Sequence, residues 1–345
     1  MVFSSHLFAI AGFLGLVLFY KLWKKGTPSH QSKGILLAPK PPGALPFIGH
    51  IHLLGGQRTL AQTLGDMADK CGPIFSIRLG AFPALIISNR EAVKECFTTN
   101  DRVLARQGTL LIELRRLGHI CRPWLPRFEQ GCVGRQNLFV AGADTTSVAL
   151  TWILSNLMNN RHALKTAQEE LDLKVRRDKW VQDSDIEKLV YLQAVIKETL
   201  RLYPPGPVSF PHEAREDCSI SRYHVQKGTR VILNLRRLHR DPRIWSNPDE
   251  FQPKTFLTSN ANVDVLGQHF ELIPFGSGRR SCPGMTLALQ TTHLTIARTL
   301  QGFDLTTPFM ELVDMTEGLG ITMPKATPLD VLLSPRLPAR LLINL

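Results

Sequence analysis

Residues 275–284, FGSGRRSCPG, restrict what this chain can fold into more than any other stretch. Three glycines and a proline surround one cysteine, Cys282, and Arg279 and Arg280 precede it. Glycines permit tight turns and close backbone approach. The pattern that follows predicts a helix from near Cys282 to Leu300. Helix-start N–H groups and nearby guanidinium groups stabilise a thiolate over a thiol. Cys282 is therefore built to be an anion facing something flat and close. By residue chemistry alone it fits a catalytic nucleophile or a metal ligand.

A nucleophile needs a histidine base; His269 and His293 lie near in sequence but form no recognisable pattern. The other cysteines are Cys71, Cys96, Cys121, Cys132 and Cys218, irregularly spaced and without a C-x-x-C pair. Zinc clusters need close pairs, so a zinc site is not expected. Scattered thiols in a long chain read as reduced cysteines in a cytosol-facing domain, five of them small buried hydrophobes. A soft thiolate with an open approach suits haem iron.

The chain has 345 residues, 43% hydrophobic and 20% charged, which excludes a disordered, collagen-like or disulfide-dense class. Its net charge of +12 suits nucleic acid, an anionic membrane face or an acidic protein partner. The aromatic residues do not interleave with the basic ones, so nucleic acid is not expected as a partner.

Leu7 to Tyr20 is apolar throughout, and Lys21, Lys24 and Lys25 follow at once. Twenty helical residues span about 30 Å, one bilayer core. The charge comes after the apolar run and no small-residue cleavage site follows, so the reading is a retained anchor over residues 1–25. The positive-inside rule then puts the body in the cytoplasm. A polar spacer and Pro-rich hinge fill residues 26–50, with four prolines between 38 and 50 making a stiff arm. The remaining residues, 51–345, read as one domain.

Within it, residues 59–70 read as a helix, 72–80 and 83–89 as two strands, and 90–98 as a short helix. Residues 103–136 carry six arginines without a clean period and are atypical. From Asn137 a long helix, apolar nearly all round, is expected to be buried. A charged amphipathic helix, 161–175, follows. Ser184 with Glu187 reads as a capping box ahead of a third helix that ends at Pro204. Short strands are expected near Val208, Tyr223–Val225 and Arg230–Asn234, and a hairpin between ITMPK and PLDVLLSP in the tail. The fold class is mainly α with small β sheets, α+β.

FGSGRRSCPG resembles the haem-binding loop of the cytochrome P-450 superfamily, F-x-x-G-x-R-x-C-x-G, with Phe275, Gly278, Arg280, Cys282 and Gly284 in every fixed position. Glu198 and Arg201 match the family's E-x-x-R, on one helix face where they can pair. AGADTT, residues 141–146, matches its oxygen-activation motif. PVSFPH, residues 207–212, is similar to a strand lining the substrate pocket. The resemblance covers about 1–102 and 137–345 and is to plant microsomal members of secondary metabolism. It implies a cytochrome P-450 fold, incomplete, behind a single-pass N-terminal helix in the endoplasmic reticulum membrane. It implies haem with Cys282 as axial ligand, Arg280 and His212 at the propionates, and Asp144 and Thr145 relaying protons to dioxygen. It implies electrons from NADPH through a cytochrome reductase, and one oxygen atom inserted into a small lipophilic substrate.

Two departures bear on activity. Residues 103–136 stand where the family has several helices, including those that roof the substrate pocket. The family's F-x-P-x-R-F reads FQPKTF here, with Thr255 in place of an arginine that joins the Glu198–Arg201 pair. The expectation is a monooxygenase by family; the alternative is a remnant, a truncated gene model or splice form that still binds haem.

Overall fold

The computed structural model describes residues 36–107 and 133–342, with side-chain detail from Ala141 in the second stretch, and one isolated position, Gly15. Contacts divide the chain into two units, 1–37 and 38–345, and all that follows concerns the second. The anchor expected over residues 1–25 lies outside the described residues. Among the described residues no helix is long and apolar enough to cross a membrane.

The first helix, α1 (Leu60–Cys71), starts where the sequence supplies a reciprocal cap. Gln62 N–H donates to the Thr59 hydroxyl, and the Gln62 side chain accepts from Thr59 N–H. Strands β1 (Ile74–Leu79) and β2 (Phe82–Ile87) form an antiparallel hairpin. Gly80, at φ +62, makes its turn in a conformation costly for other residues. The proline-rich arm packs along β1: Ser76 N–H donates to Pro39 C=O, and His50 N–H to Arg78 C=O. Helix α2 (Arg90–Phe97) follows, then the two-residue strand β3 (Arg106–Gln107).

Four helices make the larger core: α3 (Val133–Asn159), α4 (Arg161–Lys174), α5 (Val190–Leu202) and α7 (Met285–Gly302). They bury a continuous apolar cluster that includes Ile153, Leu157, Leu171, Leu192, Ile196, Ile296 and Leu300. Each recurs at helical spacing, so burial of one face of each helix drives the assembly. The expected cap at Ser184 is not what starts the third helix. Residues Asp183–Lys188 form a 3₁₀ turn capped by Gln182 and Asp185, and α5 begins after Leu189 with no side-chain cap. Instead, Glu170 reaches across from α4 and accepts from Tyr191 N–H and Leu192 N–H, satisfying two orphan donors.

Five strands form one sheet in the order β1–β2–β7–β4–β3, with β4 at His212–Glu213 and β7 at Arg230–Leu233. The β2–β7 pair is parallel, so a long crossover carries the helical core between them. A small hairpin joins β5 (Cys218–Ile220) and β6 (Tyr223–Val225). A short helix, α6 (Leu235–Leu238), follows β7. The tail departs from expectation: β9 (Leu332–Pro335) pairs with β8 (Phe303–Thr306), not with ITMPK. An isolated bridge, Glu317–Lys325, closes the intervening loop, and Met323 ties it to the body by donating to Pro205 C=O and accepting from Trp152 Nε1. Leu305 is buried in the helical core, and that anchors β8 as the strand β9 can reach.

Helix α3 also departs from expectation. Its C-terminal half is buried, with Trp152 and Ile153 fully enclosed, but Ala141, Gly142, Ala143 and Asp144 are exposed. An apolar surface left open on a core helix marks a place where something else belongs.

Candidate functional site: an exposed thiol loop between two helices

The loop around Cys282 is held by backbone bonds at both ends. Cys282 N–H donates to Phe275 C=O at 2.8 Å, and Ser281 N–H to Gly278 C=O at 3.2 Å. Gly284 then leads into α7, where Ala288 N–H bonds its carbonyl. Gly278 sits at φ +65, and a Cβ there would lie 2.3 Å from Asp101 Oδ1. No other residue fits that position without moving the loop. The reason for the close approach is Asp101 itself, which accepts from Arg279 N–H at 3.0 Å and from Arg279 Nε at 2.9 Å. The loop is thus pinned to the end of the α2 region by one carboxylate. Its cysteine is left exposed, with a free thiol.

Arg280 and His212 come together. Arg280 Nε donates to Ala105 C=O at 2.7 Å, and His212 Nδ1 lies 3.1 Å from Leu104 C=O. His212 is also registered against Gln107 through the β3–β4 pair. Burial pushes the His212 pKa down, and the charge of Arg280 pushes it the same way. The imidazole is therefore neutral beside a permanent cation, on β4 between the edge strand β3 and β7.

Glu198 and Arg201 form a fully buried bidentate pair, 2.7 and 2.8 Å. Arg201 also donates to the carbonyls of His239, Pro248 and Glu250, and Glu198 Oε1 accepts from Gln252 N–H at 2.7 Å. The meander backbone thereby fills the bonds that the absent arginine at Thr255 was expected to leave open. Thr255 itself sits in a 3₁₀ turn, Pro253–Leu257, against α5.

The sequence reading missed His239. It is fully buried, and its Nε2 accepts from Ile273 N–H at 3.0 Å, two residues before the thiol loop begins. Burial, with Arg201 and Arg240 adding, pushes its pKa down to about 3, so it stays neutral. Its carbonyl takes a bond from Arg201. One residue therefore ties the buried pair to the base of the loop. The available signal was a histidine inside an arginine-rich stretch, HRDP, next to a hydrophobic strand.

On α3, the Thr145 hydroxyl donates back to Ala141 C=O at 2.6 Å, a bond local to the helix. Asp144 is exposed, so burial does not single it out. Helices α3 and α7 pack together within the same cluster, where Leu150 and Leu289 meet it. Before those positions both helices are exposed, through Ala141–Asp144 on one and Cys282–Gly284 and Leu287 on the other. A free thiol, small residues on an open helix, and a cation beside a neutral imidazole suit a flat iron porphyrin with acidic edges. They fit that group in donor chemistry and in charge.

A protein of the cytochrome P450 class, which implies haem, is what this fold defines. The sequence pattern of the Cytochrome P450 family matches residues 39–115 and 135–329. The chain belongs to the cytochrome P450 family, whose relatives here are plant monooxygenases. It is 36% identical to vinorine hydroxylase of Rauvolfia serpentina, with 97% of this chain and 98% of that protein covered. It is 34% identical to strychnine-10-hydroxylase of Strychnos nux-vomica (95% and 97% covered) and 33% identical to a nicotine N-demethylase of Nicotiana tomentosiformis (96% and 99%). A zebra fish cytochrome P450 solved with abiraterone superposes with a TM-score of 0.66 at 20% identity, covering 80% of this chain and 99% of that one, which shows the shared fold. The alignment to vinorine hydroxylase runs over 471 positions against 345 residues here, so at least 126 positions of it face no residue of this chain.

Proposed function

We propose that the chain is a haem-thiolate monooxygenase that inserts one oxygen atom from O₂ into a small lipophilic substrate. Electrons would come from NADPH through a cytochrome reductase docking on the basic body. The observation that carries this is the exposed Cys282 thiol on a glycine-shaped loop, flanked by Arg280 and His212. Relatives named for hydroxylating vinorine and strychnine, or for demethylating nicotine, support the substrate class. Residues 1–25 would anchor the chain in the endoplasmic reticulum membrane, 26–50 would link it, and 51–345 would form the haem-binding domain.

In this reading Cys282 binds the iron, and Phe275, Gly278 and Gly284 shape the loop that presents it. Arg280 and His212 hold the acidic edge of the porphyrin. When bound, haem supplies the reductive activation of dioxygen, which the thiolate favours by electron donation. The chain supplies the rest. Ala141 and Gly142 leave room beside the helix, and Thr145 holds a proton on its hydroxyl. That proton becomes transferable only when the side chain rotates off Ala141 C=O, with Asp144 as the exposed carboxyl that resupplies it. Glu198 and Arg201 keep the loop in place from behind.

A second reading rests on a specific observation. The family match breaks between 115 and 135, and the α3 surface at Ala141–Asp144 stands open. A monooxygenase must exclude water while oxygen is activated. On this reading the chain is a catalytically impaired member, a truncated gene model or splice form that binds haem but leaks its electrons to peroxide or superoxide. Product formed per NADPH consumed, with a reductase present, separates the two. The panel is lipophilic phenolics, terpenoids and alkaloids. Efficient coupling to any one establishes the monooxygenase, and NADPH consumption without product establishes the impaired form. No binding of haem by the full chain would overturn both.

A further inference from the structure

Strands β8 and β9 form a sheet of two, apart from the larger sheet. Their register pairs Phe303 with Pro335, Asp304 with Ser334, Leu305 with Leu333 and Thr306 with Leu332. One step beyond that ladder, Arg336 N–H donates to Gly302 C=O at 2.8 Å. Backbone groups alternate in direction along an antiparallel strand. Arg336, Ser334 and Leu332 therefore turn their N–H and C=O towards β8, while Leu333 and Val331 turn theirs away. On the other strand the same alternation turns Phe303 and Leu305 away from β9.

The two outer edges are treated differently. On β8, Gln168 Nε2 donates to Phe303 C=O at 3.1 Å and Arg161 Nη1 to Leu305 C=O at 2.7 Å, so α4 closes that edge. On β9, no bond from another described residue reaches the outward groups of Val331 or Leu333. All four residues of β9 are exposed, with Leu332 and Leu333 at 55% and 54%, one on each face. Open edges are usually guarded by a charge, a proline or a cover. Here Arg336 is folded inward onto Asp172 and Asp304, and its side chain is 6% exposed. Pro335 faces outward and has no N–H, so it guards one end only. The run Val331 to Ser334 carries no charge.

An edge of this kind is complementary to itself. About a two-fold axis at Leu332, antiparallel pairing sets Val331 of one copy opposite Leu333 of the other, twice. Each of those pairs exchanges two N–H···O=C bonds, four in all. Leu332 then faces Leu332 in the close pair between them, with Cβ atoms about 4.5–5.5 Å apart. Asp330 falls opposite Ser334, so no like charges meet along the seam. Pro335 ends the pairing on either side.

We propose that two copies of this chain pair edge to edge through β9, making one four-stranded sheet, β8–β9–β9–β8, across a two-fold axis at Leu332. A second copy is favoured over a foreign strand because the run is neutral and its bonding pattern closes on itself. The contact is small, so the dimer is weak and concentration-dependent.

The test is sedimentation velocity of the full chain in density-matched detergent, with micelles in excess, up to about 100 μM protein. The expected result is a reversible monomer–dimer equilibrium. Leu333→Pro removes one outward N–H per copy and none that faces β8, and should weaken the dimer about tenfold or more. Leu332→Lys and Leu332→Glu each set like charges opposite one another, and each alone should be monomeric. An equal mixture of those two variants should dimerise again. That recovery needs both variants folded, and it separates a contact at β9 from one made through residues 1–25. Three results would overturn the proposal: a parent chain that stays monomeric at that concentration, a dimer as strong in Leu333→Pro or in either charged variant as in the parent, or a mixture that stays monomeric.

Discussion

Replacing Arg201 by methionine tests the buried pair that backs the thiol loop. Arg201 and Glu198 are 2% and 1% exposed. The substitution removes two bonds to Glu198 and three to the carbonyls of His239, Pro248 and Glu250. Glu198 would then be a buried carboxylate holding only the Gln252 N–H. Breaking a buried pair from one side costs about 3–5 kcal/mol, most of it the stranded charge. The freed carbonyls add to this only in part, because the meander can loosen and admit water. Glu198→Leu combined with Arg201→Met strands no charge, so the double variant should be less destabilised than Arg201→Met alone. Urea unfolding of the full chain in detergent can follow Trp245, whose ring lies 5.1 Å from the Arg201 guanidinium. A loss below about 1 kcal/mol in the single variant, or a double variant worse than the single, would refute the reasoning.

Three other outcomes follow from the same geometry. Thr255→Arg should leave the melting temperature and haem retention unchanged, within about 0.5 kcal/mol, because the meander backbone already satisfies Glu198 and Arg201; a clear gain would show an unfilled place. His239 has a folded pKa of about 3, below its unfolded value near 6.5. The unfolded chain therefore gains a proton first as pH falls, so this contribution is complete above about pH 6.5 and declines towards pH 3, by up to about 1.4 kcal/mol per unit. His239→Gln, which keeps an acceptor for Ile273 N–H, should flatten the fall in stability between pH 6.5 and 5; an unchanged slope would contradict the buried neutral state. Gly278→Ala should cost about 2 kcal/mol or more, from the positive φ and the Asp101 contact, and should loosen haem binding. Binding equal to the parent chain would show that the loop tolerates the shift.

The helices and the first hairpin were legible because their apolar spacing is regular, a glycine separates the two strands, and the third helix runs into Pro204. The shape of the candidate loop was legible because one local stretch, residues 275–284, holds it. What the sequence hid depends on distant partners. The cap of α5 comes from Glu170 on another helix, and β9 finds β8 across the intervening tail loop. The support of Arg201 comes from backbone carbonyls, which carry no residue signature, so Thr255 read as a loss. Asp144 looked buried because its neighbours are apolar, yet that apolar surface stands open. His239 needed its contact with Ile273 to be seen, since a buried histidine and a surface one look alike in a sequence.

The central claim is that Cys282 binds haem iron as a thiolate. It is tested most directly by the reduced, carbon monoxide difference spectrum of the purified full chain, with haem content measured alongside. The account predicts the red-shifted Soret band of a thiolate-ligated haem in the parent chain, and its loss in Cys282→Ala. The same band in Cys282→Ala, or stoichiometric haem in the parent chain without that band, would contradict it.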